Sequence, residues 1–155
     1  MDTMFNPGLV YIAGTAGKMV VTTAISPIVH STVTLVSSLH SSGSGTTLQE
    51  CLIKHDITCT LQTIEATCLA LKCDKEPLKT ASAHVVSCVE QIHQLLTRIA
   101  DITASHQAGY ISRWRQLNLD TEIEQLENLM QILQNRFKLM CDIRSVVDWM
   151  HILCT

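Results

Sequence analysis

Charge is scarce where the chain begins: between Asp2 and Glu50 the only charged side chain is Lys18. Aromatic residues make up 4 % of the protein, and its 155 residues include 3 prolines and 6 glycines. So little punctuation argues against many short strands joined by turns and favours long helices. Basic residues do not outnumber acidic ones, since 11 Lys and Arg stand against 14 Asp and Glu for a formal net charge of -3. With no surplus of cations to displace counterions from phosphates, nucleic acid is not expected as a partner. The start carries Asp2 and no basic run, so no secretory leader is expected either.

Several chemical signatures are also missing. The seven cysteines (51, 59, 68, 73, 88, 141 and 154) include no CxxC pair, and the histidines at 30, 40, 55, 84, 93, 106 and 151 form neither HExxH nor His-x-x-x-His. Zinc ligands ordinarily cluster at such spacings, so no metal site is expected, and no cofactor. An odd cysteine count, with Cys68 and Cys88 inside helical patterns, points instead to reduced, buried thiols in an intracellular compartment. On one continuous helix, His55 and Asp56 would point in different directions and form no dyad. Glu122, Glu124 and Glu127 read as a solvated face near a helix N-terminus. Gly14-Thr-Ala-Gly17-Lys18 lacks the glycine spacing and the following Ser or Thr of a phosphate loop. Its two glycines fit the close approach of another helix better. Catalytic residues are therefore not expected, and the protein reads as a non-enzyme.

What the chain does have is apolar material. Hydrophobic residues reach 46 % against 16 % charged, enough for one well-cored domain. The surplus is concentrated in an almost uncharged, Ser/Thr-rich region 1–45, ahead of an amphipathic region 46–155 with ordinary patterning. The Ser- and Gly-rich run His40 to Thr46 reads as a flexible connection between them. Asn6-Pro7 and Ser26-Pro27 each look like an N-cap followed by proline in the first helical position. This predicts an apolar helix from Pro7 to Ala24 and another from Pro27 to Leu39. Either could pack on the protein, seat on a partner or meet a membrane, and Val33-Thr34-Leu35-Val36 keeps a strand open.

Beyond residue 46 the apolar residues step by threes and fours. Ile57, Leu61, Ile64, Cys68 and Leu71, extended back by Leu48 and Leu52, predict one helix from Thr47 to Lys72. A second follows Pro77, with Leu78, Ala81, Val85, Val89, Ile92, Leu96, Ile99 and Thr103 on one stripe. A third begins near Asp120 or Thr121, where Thr121 and Glu124 have capping-box spacing, and carries Leu126, Met130, Leu133, Phe137, Met140, Val147 and Met150. The expected fold is all-α: an antiparallel four-helix-type bundle with Pro27 to Leu39 as fourth member and an additional apolar N-terminal helix or arm. Between the last two helices, Tyr110, Arg113, Trp114 and Arg115 form the chain's aromatic and basic cluster. Trp, Tyr and Arg are enriched in binding hot spots, so these four are candidate contact residues, or else Trp114 plugs the bundle end. Leu9, Ile12, Met19 and Val20 are the corresponding candidates of the apolar N-terminal region.

Residues 106–143, with His106, Tyr110, Trp114-Arg115 and then a Leu-rich helix containing Arg136, resemble a pattern in small helical proteins of large DNA viruses. That resemblance implies a structural role in the virion or an interaction with the host. In layout alone, a Gly-containing apolar N-terminus ahead of a helical bundle is similar to HeLo-type domains and the N-terminal bundle of mixed-lineage kinase domain-like proteins. This likeness implies disruption of membranes through residues 7–39. The expectation taken forward is an interaction protein that self-associates or binds a protein partner through its apolar N-terminal region. A membrane-active bundle is the alternative.

Overall fold

The computed structural model describes residues 20–42, 45–73, 75–109 and 117–154, all of the regular structure being helical. Five helices follow in order: α1 (Val20–Ser41), α2 (Thr46–Lys54), α3 (Ile57–Leu71), α4 (Leu78–Ala108) and α5 (Asp120–Leu153). Four of them, α1, α3, α4 and α5, form the bundle, and short α2 bridges from α1 to α5. Cross-helix hydrogen bonds fix the directions. Thr32 meets His93 and Ser42 meets Gln107, so α1 and α4 run parallel. Arg136 bonds the His84 carbonyl and Arg98 bonds Gln125, so α4 and α5 are antiparallel. Thr60 and Ile64 line one cleft with Gln134 and Phe137, and Arg144 meets Leu71, which sets α3 parallel to α5. Successive bundle helices thus reverse direction, yet α4 has α1 and α5 as its neighbours while α3 lies across the bundle from it.

Helix α1 is rich in Val, Ile and Thr, poor helix formers by themselves. Tertiary burial overrides that preference, because Ile25, Val29, Thr32, Val36 and Leu39 step by fours and threes into the core. Four of its hydroxyls are satisfied locally: Thr32, Thr34, Ser37 and Ser41 each donate to the carbonyl four residues back. The Val33–Val36 segment is helical, which removes the strand alternative. Pro27 lies inside α1, so the cap expected at Ser26-Pro27 and the helix boundary there are corrected. The exposed ring costs one intrahelical bond, and the buried residues on either side hold the helix together across it.

The single helix expected over Thr47 to Lys72 is two helices. Asp56 adopts the left-handed conformation at φ 40°, which Asp tolerates better than most residues, and the chain turns between α2 and α3. Leu48, Cys51 and Leu52 of α2 and Ile57, Leu61, Ile64 and Cys68 of α3 still face the core. The connection between α1 and α2 is shorter than expected: the helices close in to residues 41 and 46, Gln107 holds the Ser42 carbonyl, and Gly45 supplies a positive φ of 80°. The Glu76–Pro77 peptide is cis.

All eight stripe residues expected in α4 are buried. In α5, Leu126, Met130, Leu133 and Met140 are buried and Phe137 is partly so, while Met150 is exposed. The Thr121–Glu124 capping box does not form. Helix α5 starts at Asp120, as expected, but with Leu119 and not Thr121 in the N-cap position, and the Asn118 side chain accepts from the Asp120 N–H.

Among the described residues, a polar contact within the core joins α1 to α4. Thr32, fully buried, donates to the Ile28 carbonyl at 2.6 Å and lies 3.1 Å from His93 Nδ1. With its proton committed to Ile28, the threonine oxygen accepts from His93, which fixes the Nδ1–H tautomer. Thr32→Val leaves that N–H without a partner, and an unfolding free energy lower by about 1–2 kcal/mol is expected in urea titrations.

Candidate functional site

Two features stand out on the surface of the bundle. The first is on α5, whose apolar residues form two rows. The row beginning Leu126, Met130 and Leu133 faces the core. One residue earlier, or about 100° round the helix, runs a second: Ile132, Leu139, Ile143, Val146, Met150 and Leu153. Arg136 interrupts it, reaching back to the His84 carbonyl at 3.0 Å. From Leu139 onward the steps are four, three, four and three. Leu139, Val146, Met150 and Leu153 are exposed, as are Trp149 at 67 % and Ile152 at 72 % beside them. The bundle ends near Arg144, which donates to the last carbonyl of α3, Leu71, at 3.2 Å. The final nine residues of α5 continue past it for roughly 13 Å.

The second feature joins α2 to α5. Cys51 and His55 are four residues apart at the end of α2, so their side chains share one face. Opposite them, Glu127 projects from α5. Cys51 Sγ, a His55 ring nitrogen and a Glu127 oxygen all lie within 4.8 Å of one another. Lys54 Nζ is 3.0 Å from Glu127 Oε1, and His55 Nε2 is 3.7 Å from it, beyond hydrogen-bond reach. That nitrogen is buried with no hydrogen-bond partner. The Lys54 ammonium holds the Glu127 carboxyl below the usual carboxylate range. Burial pushes the Cys51 thiol up, Glu127 adds to the rise, and Lys54 opposes it.

The solvated acidic face expected from the sequence is therefore corrected at Glu127, which is paired. His55 and Asp56 occupy a turn and not a helix, and the carboxylate near the imidazole is Glu127. The Cys-x-x-x-His spacing was the available signal for this cluster, but nothing local pairs it with a glutamate more than seventy residues away.

None of the seven cysteines is disulfide-bonded. Cys51, Cys68, Cys73 and Cys88 are buried as expected, whereas Cys59 and Cys154 are exposed. Burial pushes the Cys68 thiol up to about 12, with Cys73 and Cys141 adding to it. Labelling the folded protein with a thiol reagent near neutral pH is expected to modify Cys59 and Cys154 first. Cys68, with little thiolate and no access, is expected to react last, as peptide mapping after timed quenching would show.

Two clefts border α3. One, about 530 Å³, lies along its outer face between Cys59, Thr63, Ala66 and Ala70; the other, about 250 Å³, lies where Ile64 faces Gln134 and Phe137 of α5. Neither is lined by a histidine or carboxylate, so neither pairs an acid with a base. Leu9, Ile12, Met19, Tyr110, Arg113, Trp114 and Arg115 lie outside the described residues, and Val20 is the first residue of α1. Among the described residues no helix is long and apolar enough to cross a membrane. Comparison with family models, curated proteins and solved structures finds no match for the chain.

Proposed function

We propose that the protein is a non-enzymatic interaction bundle that self-associates through the second apolar row of α5. The observation that supports this reading is the exposed run of Leu139, Val146, Trp149, Met150, Ile152 and Leu153 on a helix that outruns its own bundle. The exposed members of the row, with Trp149 flanking them, present on the order of several hundred Å² of apolar surface, in the range where patches on a protein surface mark interaction sites. That is near the ~800 Å² each partner contributes to a standard interface. A second copy is the occupant the pattern favours. Rows spaced by threes and fours mesh with an identical row about a two-fold axis, and Ile143, Val146, Met150 and Leu153 bring no charge against their own image.

The expectation of an interacting bundle is kept, with the contact surface relocated. The Pro27 to Leu39 segment, expected as the fourth member of the bundle, does turn into the core at Val29, Val36 and Leu39, while Leu9, Ile12 and Met19 of the expected N-terminal contact lie outside the described residues. Light scattering on the full chain across a range of concentrations tests the proposal. A dimer that dissociates on dilution is the expected result. A monomer at every concentration, whether residues 1–19 or a lipid surface covers the row instead, overturns it.

A further inference from the structure

We propose that Cys51, His55 and Glu127 form a binding site for a divalent transition metal of the zinc class, tying the end of α2 to α5. The donors are one sulfur, one imidazole nitrogen and one carboxylate oxygen, the mixed set that borderline metals such as Zn²⁺ accept. Their atoms already lie within 4.8 Å of one another. Zinc at its usual bond lengths would hold such donors roughly 3.3–3.6 Å apart, so closure needs the donor atoms to draw in by about an ångström. The geometry also answers an otherwise unexplained feature: His55 Nε2 is buried without a hydrogen-bond partner, 3.7 Å from the Glu127 oxygen. A buried, unpaired nitrogen is costly, and a metal bond would satisfy it.

The site already draws positive charge. Lys54 Nζ sits 3.0 Å from Glu127 Oε1 on a side chain that is two-thirds exposed, so it can swing into water when a metal arrives. On binding, the Cys51 S–H bond breaks, its proton passes to solvent, and the thiolate takes the metal. His55 binds neutral through Nε2, and Glu127 exchanges the Lys54 ammonium for the metal. No electron is transferred. One thiolate and one carboxylate balance the dication, and three protein donors leave a fourth position for water. The site uses neither the α5 row nor self-association and stands or falls independently of them.

Cobalt is the probe. The full-length protein, stripped with a chelator under reducing conditions, is titrated with Co²⁺ and monitored for thiolate-to-metal charge-transfer absorption. One equivalent bound, displaced by Zn²⁺, is expected. Cys51→Ser is expected to abolish the band, and His55→Ala and Glu127→Gln each to weaken binding at least ~10-fold. Cys59→Ser and Cys154→Ser, at exposed thiols, are expected to leave it unchanged. Should Cys51→Ser fail to fold, His55→Ala and Glu127→Gln, on a turn and on a partly exposed helix face, still decide the matter. Absence of the band, its survival in both of those variants, or its loss with Cys59 or Cys154 overturns the site.

Discussion

Leu96→Ala is expected to lower the unfolding free energy by about 3 kcal/mol, within the range for truncating a buried leucine. Leu96 is fully buried in the middle of α4, the helix that packs on both α1 and α5. Removing its isobutyl group forfeits the transfer energy of the lost carbons. It also leaves a cavity that rigid helices on two sides cannot close. Urea titration would show a lower midpoint at unchanged slope, and against a total of about 5–15 kcal/mol the loss is large. Leu139→Ala is the matched control. With its side chain mostly in water, it is expected to change monomer stability by no more than about 0.5 kcal/mol. Equal effects at the two positions would mean that the core does not lie between α4 and its neighbours.

Met150→Glu is expected to raise the dissociation constant of the self-associated form at least ~100-fold, about 2.7 kcal/mol. The carboxylate would stand between Val146 and Leu153 in the exposed α5 row, where pairing two copies would strip it of water and set it near its own image. Trp149→Ala is expected to cost about 2 kcal/mol or more, the scale of a hot-spot tryptophan. Both positions are exposed and outside the core, so the fold should persist and circular dichroism should match the wild type. Sedimentation velocity separates the outcomes: a monomer with native helicity supports the row as the contact, and a variant that still dimerises with wild-type affinity refutes it.

Much of the architecture was legible because burial in a helix leaves a periodic trace. Leu78 to Thr103 repeats every three or four residues, and each of those positions is buried. Breaks were harder to read than stripes. The step from Leu52 to Ile57 is five residues, a skip in rhythm that coincides with the turn at His55 and Asp56. Pro27 misled in the opposite direction. Ser-Pro is a sound local helix start, but a proline whose ring reaches solvent is tolerated where the residues around it are buried. Met150 follows Val147 by three residues and so reads as part of the core stripe, but it lies on the second row, about 100° round the helix from the row of Leu133, where α5 also outruns α3. The Cys51, His55 and Glu127 cluster was illegible for a different reason. Its third member is brought in by the packing of α2 on α5, which no local spacing encodes.

The parallel pairing of α1 with α4 has a consequence for how the chain reaches this state. Contacts between α4 and α5 join residues such as Arg98 and Gln125, 27 positions apart, whereas Thr32 and His93 are separated by 61. Closing the longer loop costs roughly 0.7 kcal/mol more in chain entropy. Of these two contacts, the one between α4 and α5 is therefore the cheaper to close, and the one between α1 and α4 draws more of its support from the side chains buried around it.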